Sequence, residues 1–115
     1  MEGLPSAEGE RLGRISNAVV SAHRRHAGRG PTRAKTYLFD DTLVTVTGDG
    51  LTSLERTLAE GGRPEMVRTL RMSLRDAIGA ELRPVVEETV GRPVLSHASQ
   101  TLPELDIGFE LFVLG

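Results

Sequence analysis

Residues 34–55 read AKTYLFDDTLVTVTGDGLTSLE, and this stretch holds the signals that decide the fold. On either side of Asp40-Asp41 lies a short run rich in β-branched and aromatic residues, a pattern typical of a β-hairpin. Gly48-Asp49-Gly50 then predicts a turn, and Thr52 with Glu55 has the spacing of a helix capping box. The stretch therefore predicts two strands followed at once by a helix.

Helices are predicted on both sides of this hairpin. Residues 10–27 place apolar side chains at three- and four-residue intervals, as does a longer segment at 64–90, and the capped helix between them should end near residue 60. The apolar stripe of the long helix consists of Val67, Leu70, Leu74, Ile78, Leu82, Val86 and Val90. Pro84 cannot donate a backbone hydrogen bond, so we expect a kink or a break near residues 81–83.

A second strand pair is predicted at residues 94–99 and 106–114, where apolar residues alternate along the chain. The element order is then αββααββ, with no repeated βα unit that would require a parallel sheet. We predict an α+β fold in which helices pack on one face of a four-stranded antiparallel sheet. The other face is expected to be partly apolar and to form a dimer surface. Its predicted members are Thr45, Thr47, Phe112 and Leu114.

Length and composition indicate one domain. A chain of 115 residues supports one hydrophobic core, and we expect residues 1–9 to be a disordered leader and residues 10–115 to form the domain. Without cysteine the chain has no disulfide and no thiol nucleophile, which fits the cytoplasm. With three phenylalanines and one tyrosine, base stacking on an aromatic surface is poorly supported, so nucleic-acid binding is the least favoured function.

A cluster of cations beside a glycine turn is the first candidate binding site. Its members are Arg29, Gly30, Thr32, Arg33 and Lys35. Backbone amides of such a turn, together with these cations, could hold a small anion or an acidic partner. The alternative is that the cations complement the negative end of the preceding helix and are otherwise solvated.

A second basic row lies on the long helix at Arg68, Arg71 and Arg75. Their three- and four-residue spacing puts them on one side of a helix, where they could bind an acidic partner. The competing interpretation is an exposed face on which the arginines form salt bridges with nearby carboxylates.

Catalytic and metal sites are not predicted. His23 and His26 have helical spacing but lack an evident third metal ligand. His97 lies beside Ser96, but adjacent strand residues point to opposite faces and no nucleophile elbow is present. We therefore expect a binding or regulatory protein with no cofactor, rather than an enzyme.

Several stretches taken together resemble the MpsC family of small bacterial proteins. The matching stretches are Ile15-Ser16-Asn17, the segment Gly28-Arg29-Gly30-Pro31-Thr32-Arg33-Ala34-Lys35, Leu51-Thr52-Ser53-Leu54-Glu55-Arg56-Thr57-Leu58, Val67-Arg68 with Arg71, Glu87-Glu88-Thr89-Val90-Gly91 and Phe112-Val113-Leu114. Their order and spacing cover residues 11–114. His97 departs from the resemblance, because similar sequences are expected to have an acidic residue there.

The resemblance implies association with a sodium-translocating, membrane-potential-generating system, linked in some bacteria with uptake of dissolved inorganic carbon. On this basis the expected function is an accessory or regulatory binding subunit, homodimeric and cytoplasmic, reaching the membrane through transporter subunits. The alternative is a stand-alone sensor of a small anion.

Overall fold

The computed structural model describes residues 7–115, and its elements follow the predicted order. They are α1 (Ala7–Ala27), β1 (Arg33–Phe39), β2 (Thr42–Gly48), α2 (Ser53–Glu60), α3 (Pro64–Val90), β3 (Val94–Leu102) and β4 (Ile107–Leu114). The strands form one antiparallel sheet in the order β1-β2-β4-β3. The predicted α+β fold is therefore confirmed. Of the predicted leader, residues 1–6 lie outside the described residues, and α1 already begins at Ala7.

Helices α1 and α3 pack against each other and cover the same face of the sheet. The core between these layers is aliphatic and contains a single aromatic ring. It consists of Ile15, Val19, Ala22, Leu43, Ile78, Leu82, Val86, Val94, Phe112 and Leu114. Helix α2 begins with the predicted capping box, in which the Thr52 hydroxyl accepts from the Glu55 amide and the Glu55 carboxylate accepts from the Thr52 amide. None of the helices in residues 7–115 is long and apolar enough to cross a membrane.

Helix α3 runs without interruption through Pro84, so the prediction of a break near residues 81–83 is wrong, whereas the alternative of a kink there stays a prediction. Pro84 lies on the exposed side of the helix, where the carbonyl that it leaves unpaired can be hydrated. Leu82 and Val86, on either side of it, are fully buried and hold both halves of the helix against the core. The helix ends at Gly91, which adopts a left-handed conformation with φ of 70°.

The helices cover the face of the sheet that was predicted to be open. Thr45, Thr47, Phe112 and Leu114, assigned to the open face, are buried beneath the helices. The open face instead carries the alternate residues of the same strands, among them an apolar row that crosses all four strands. That row pairs Tyr37 with Val44, Val44 with Leu111, and Leu111 with Ala98.

The inversion has a physical cause. In a strand that alternates apolar and polar residues, the apolar ones are expected to face the core, but this holds only where the whole covered face of the sheet is apolar. Here the buried face has an apolar half and a polar half, and the polar half is held by hydrogen bonds. Its central row pairs Thr36 with Thr45, Thr45 with Glu110, and Glu110 with Ser99.

Candidate functional site

At the β1 side of the sheet, the buried polar row begins with three hydroxyl groups joined by hydrogen bonds. The Ser16 hydroxyl on α1 lies 2.8 Å from that of Thr36, which lies 2.7 Å from that of Thr45. All three side chains are buried, so each hydroxyl depends on its neighbours for hydrogen bonds. These bonds tie α1 to the first two strands at a fixed register.

Glu110 lies at the centre of the row and is 2% exposed. Its Oε1 accepts a hydrogen bond from His97 Nε2 at 2.7 Å, and its Oε2 accepts from Ser99 Oγ at 2.8 Å and from His23 Nε2 at 3.3 Å. These donors come from β3 and α1, so one carboxylate joins β4 to both. A buried carboxylate is tolerated where such donors replace its hydration.

Arg71 of α3 enters the same buried region from the other side. Its Nε and Nη2 both donate to the Glu55 carboxylate at 2.6 Å, a bidentate pair, and Nη2 also donates to the Gly50 carbonyl at 2.9 Å. Glu55 is itself 3% exposed and completes the α2 capping box. The ion pair therefore fixes α2 and the turn before it against α3.

His23 connects the two groups. Arg71 Nη1 lies 3.2 Å from His23 Nδ1, and because a guanidinium can only donate, Nδ1 must accept. The ring proton of neutral His23 is then on Nε2, which donates to Glu110. The result is a continuous chain of hydrogen bonds from Glu55 through Arg71, His23 and Glu110 to His97, contributed by five different elements.

The two buried carboxylates are held in the ionised form. Burial raises the pKa of Glu110, but hydrogen bonds from His23, His97 and Ser99 outweigh it and bring the pKa below its ordinary value. Burial likewise raises the pKa of Glu55, and hydrogen bonds from Arg71 and from Thr52 bring it below the ordinary value. Both carboxylates thus act as fixed negative charges within the fold.

These directions predict acid sensitivity. A carboxylate whose pKa is lower in the folded than in the unfolded state stabilises the fold above its unfolded pKa, and that stabilisation is lost as the pH falls through the folded pKa. We expect the urea midpoint to decline once the pH falls below the ordinary carboxyl value of 4.5. The Glu110→Gln variant should show a shallower decline than the parent protein. Exposed Glu65 supplies the control, since Glu65→Gln should leave the slope unchanged; a Glu110→Gln slope equal to it would contradict the prediction.

The structure places the predicted basic cluster around an internal carboxylate. Arg29 Nη2 lies 3.0 Å from Asp49 Oδ2, and the Thr32 hydroxyl donates to the same oxygen at 2.8 Å. The hydrogen bond from Thr32 is the largest influence on the pKa of Asp49 and lowers it; desolvation opposes this by a smaller amount, and the charge of Arg29 lowers the pKa further. Asp49 thus lies where Arg29 and Thr32 would contact an external anion.

The other members of the basic cluster do not converge on that point. The Arg33 guanidinium lies over Gly48, and Lys35 Nζ lies 5.7 Å from the centre of the Tyr37 ring. Gly30 packs against α1, where a Cβ would approach the Val20 carbonyl to 3.0 Å. Binding of an anion or partner by this cluster stays a prediction.

The second basic row is divided among three environments. Arg68 pairs with Glu65 and Glu104 at the surface, and Arg75 lies 3.5 Å from Asp76. Arg71 is 9% exposed and belongs to the buried network, so the interpretation of an exposed row does not hold for it. The predicted apolar stripe placed Leu70 towards the core. In the structure Arg71 faces the core instead, and Leu70 is 44% exposed.

Sequence reasoning missed the residues at the centre of this network. The sequence predicts only a capping role for Glu55, it offers His23 only as a metal ligand that lacks partners, and it predicts no role for Glu110. The one available signal was Glu110 itself, a charged residue inside an otherwise apolar strand, IGFELFVL. Within residues 7–115, no group of three or more His, Cys, Asp or Glu side chains is placed to hold a metal ion.

Comparison with known proteins gives one match. The family model described as "Na+-translocating membrane potential-generating system (MpsC)" matches residues 7–115, which is every residue described above. No curated protein and no solved structure matches the chain. The family's description links its members to a sodium-translocating system that generates a membrane potential. Since the match spans essentially the whole chain, this protein belongs to the MpsC family.

Proposed function

We propose that this protein is an accessory or regulatory binding subunit of a sodium-translocating, membrane-potential-generating system, with no catalytic step of its own. Membership of the MpsC family supports the choice of system. The observation that carries the binding role is the open face of the sheet, an apolar surface that none of the helices in residues 7–115 covers.

The open face combines exposure with apolar chemistry. Phe39 is 56% exposed, and Tyr37, Val46 and Val113 are also exposed. A large, contiguous apolar surface of this kind usually marks an interaction site. In the described strands its formal charges belong to Arg33 and Lys35, both on the edge strand β1. The centre of the face is therefore uncharged.

A second copy of the chain is the partner that fits this face best. In a twofold dimer the same patch meets itself, and an uncharged centre avoids repulsion between identical charges. Four strands about 4.8 Å apart and about seven residues long give a projected area on the order of 450 Å² per copy. With both copies counted and the corrugation of side chains included, this approaches the lower range of specific interfaces. The proposed subunit is thus a homodimer.

The proposed place of action follows from this assembly. As a dimer the protein would contact membrane-embedded transporter subunits from the cytoplasmic side and would reach the membrane through them. Dissolved inorganic carbon uptake is the physiological process to which such a system would contribute in bacteria that couple the two.

The dimer is tested by light scattering on purified protein. The parent chain should have the mass of a dimer. Val44, which lies between Tyr37 and Leu111, is at the apolar centre, and Val44→Glu should weaken association by about a hundredfold or more, because two like charges meet there at a cost of several kcal/mol. Leu54→Glu is the matched control: Leu54 is 66% exposed on α2, away from the open face, and should leave the dimer intact. A monomeric parent chain, or equal behaviour of both variants, would disprove the dimer.

The accessory role needs a separate experiment. Tagged protein is incubated with detergent-solubilised membranes of the native bacterium, and retained proteins are identified by mass spectrometry. The proposal expects integral membrane subunits of a sodium-translocating complex, and their retention should be lost or reduced with Val44→Glu if the dimer is the form that binds. Retention of soluble proteins alone would count against the accessory role.

A further inference from the structure

A cavity of about 320 Å³ lies between α3 and β3, at the end of the hydrogen-bonded chain. Its polar lining residues include Arg75, Asp76, Arg83 and His97, and Phe112 contributes an apolar wall. A volume of this size is enough for a small organic molecule. The cavity is separate from the open face of the sheet and from the predicted basic cluster.

His97 forms the inner end of the cavity in a fixed orientation. Its ring stacks on Phe112 with centroids 4.7 Å apart and planes at 16°, and its Nε2 donates to Glu110. The remaining nitrogen, Nδ1, has no hydrogen-bond partner among the described residues, although the side chain is only 15% exposed. A polar atom held in this way is available to a bound molecule.

Gly79 of α3 leaves the space that His97 needs. A Cβ at this position would lie 2.5 Å from His97 Nδ1, so any other residue would displace the ring or cover that nitrogen. Glycine within a helix is destabilising relative to alanine. Its presence lets the Nδ1 and Cε1 edge of the imidazole approach α3 with no side chain between them.

Two guanidinium groups line the same cavity. Arg75 is 42% exposed, and Arg83, 60% exposed, anchors one nitrogen on the Val94 carbonyl at 3.0 Å. Their carboxylate contacts are long: 3.5 Å from Arg75 to Asp76 and 3.6 Å from Arg83 to Glu87. Arginines in loose surface pairs retain donors for an oxyanion, which they recognise with two parallel hydrogen bonds.

We propose that this cavity binds a small molecule carrying a carboxylate or phosphate group, whose oxygens pair with Arg75 and Arg83 and accept a hydrogen bond from His97 Nδ1. Because Nε2 already donates to Glu110, donation from Nδ1 requires the doubly protonated imidazolium. The proton comes from solvent, and its charge is balanced by Glu110 on one side and the ligand on the other.

The charges around His97 agree with this protonation. Glu110 on β4 is anionic, and the α1 residue beyond it, His23, directs its Nε2 at the same carboxylate. Helix α3 presents Arg75, Arg83 and the carboxylate of Asp76 to the cavity. Ligand binding would then alter the charge at one end of a chain that reaches α2, giving the protein a means of reporting occupancy of the cavity.

The test uses calorimetric titration with sodium phosphate and, separately, sodium acetate at constant ionic strength. Saturable heat with one probe identifies the chemical class of the ligand. The Arg75→Gln and Arg83→Gln variants should each weaken binding by about tenfold or more. Exposed Arg14 on α1 lies outside the cavity, so Arg14→Gln should change affinity by no more than about twofold. Circular dichroism confirms that each variant is folded.

Nitrogen NMR of the histidines gives the second readout. At saturating probe, His97 should show both ring nitrogens protonated, and Gly79→Ala should abolish this signal together with binding. The proposal is overturned by no saturable heat with either probe, by equal loss in Arg14→Gln, or by an unprotonated His97 Nδ1 in the bound state. These results do not depend on whether the chain dimerises or contacts a membrane complex.

Discussion

The Arg71→Met variant should lose about 3–5 kcal/mol of unfolding free energy, the loss expected when one partner of a buried ion pair is removed. Methionine fills the volume of the arginine stem, so the loss arises from the charge. Glu55, 3% exposed, would remain ionised with no cation to pair with it, and the Gly50 carbonyl would lose a donor. Urea denaturation at pH 7 measures the effect.

Arg75→Met is the matched control for this prediction. It is one turn further along the same helix, but it is 42% exposed and has only a long contact with Asp76. Its loss should lie within about 0.5 kcal/mol of zero, as for other surface positions. Equal losses at the two positions would show that the buried ion pair has no special role.

The charge explanation has its own check in a double variant. Glu55→Gln keeps the side-chain oxygen that caps α2, because glutamine also completes a capping box. Combined with Arg71→Met it leaves no unpaired carboxylate in the interior. The double variant should therefore be more stable than Arg71→Met alone; a further loss of stability would contradict the explanation.

The sequence was sufficient to predict the elements of this fold. The hairpin, the capping box and the starts of α2 and α3 depend on local signals, such as the turn at Asp40-Asp41 and the Thr52 and Glu55 spacing, and these were confirmed. Local signals say where a strand lies but not which of its faces is covered. The strand 42–47 alternates valine with threonine, and the apolar valines were the natural choice for the core.

In the structure the threonines of this strand face the core, because other residues of the fold supply hydrogen bonds to the buried polar side chains. Thr45 can be fully buried because Thr36 supplies a hydrogen bond at 2.7 Å, and Glu110 because two histidines and a serine do so. Thr36, Ser99 and His97 lie on neighbouring strands, where pairing register decides whether they meet their partners, and His23 comes from α1, which no periodicity connects to β4. The same reason explains Arg71, whose burial depends on Glu55 on another helix. Polar residues in the core were therefore the part of this structure that a single sequence could not reveal.

Glu110→Ala should be the second large loss, again about 3–5 kcal/mol, because one buried and two partly buried donors lose their common acceptor and a cavity remains. His97, Ser99 and His23 all donate to this carboxylate. Glu110→Gln should lose less, about 1–3 kcal/mol, since the amide oxygen can still accept while its NH₂ group faces a donor. A Gln variant as unstable as the Ala variant would contradict this order.

Coupling between Glu110 and Arg71 tests whether the chain acts as one network. The two side chains share His23, which accepts from Arg71 and donates to Glu110, so the second substitution removes contacts that the first has already disturbed. The double variant Glu110→Ala with Arg71→Met should lose less than the sum of the single losses, by about 0.5–3 kcal/mol.

Arg92→Ala provides the control pair with Glu110→Ala. Arg92 contacts Asp40, Asp41 and Gly115 and shares no partner with Glu110, so that pair should be additive within about 0.5 kcal/mol. Additivity in both pairs would show that His23 merely lies between two independent ion sites, and the coupling from the cavity to α2 would then lose its physical basis.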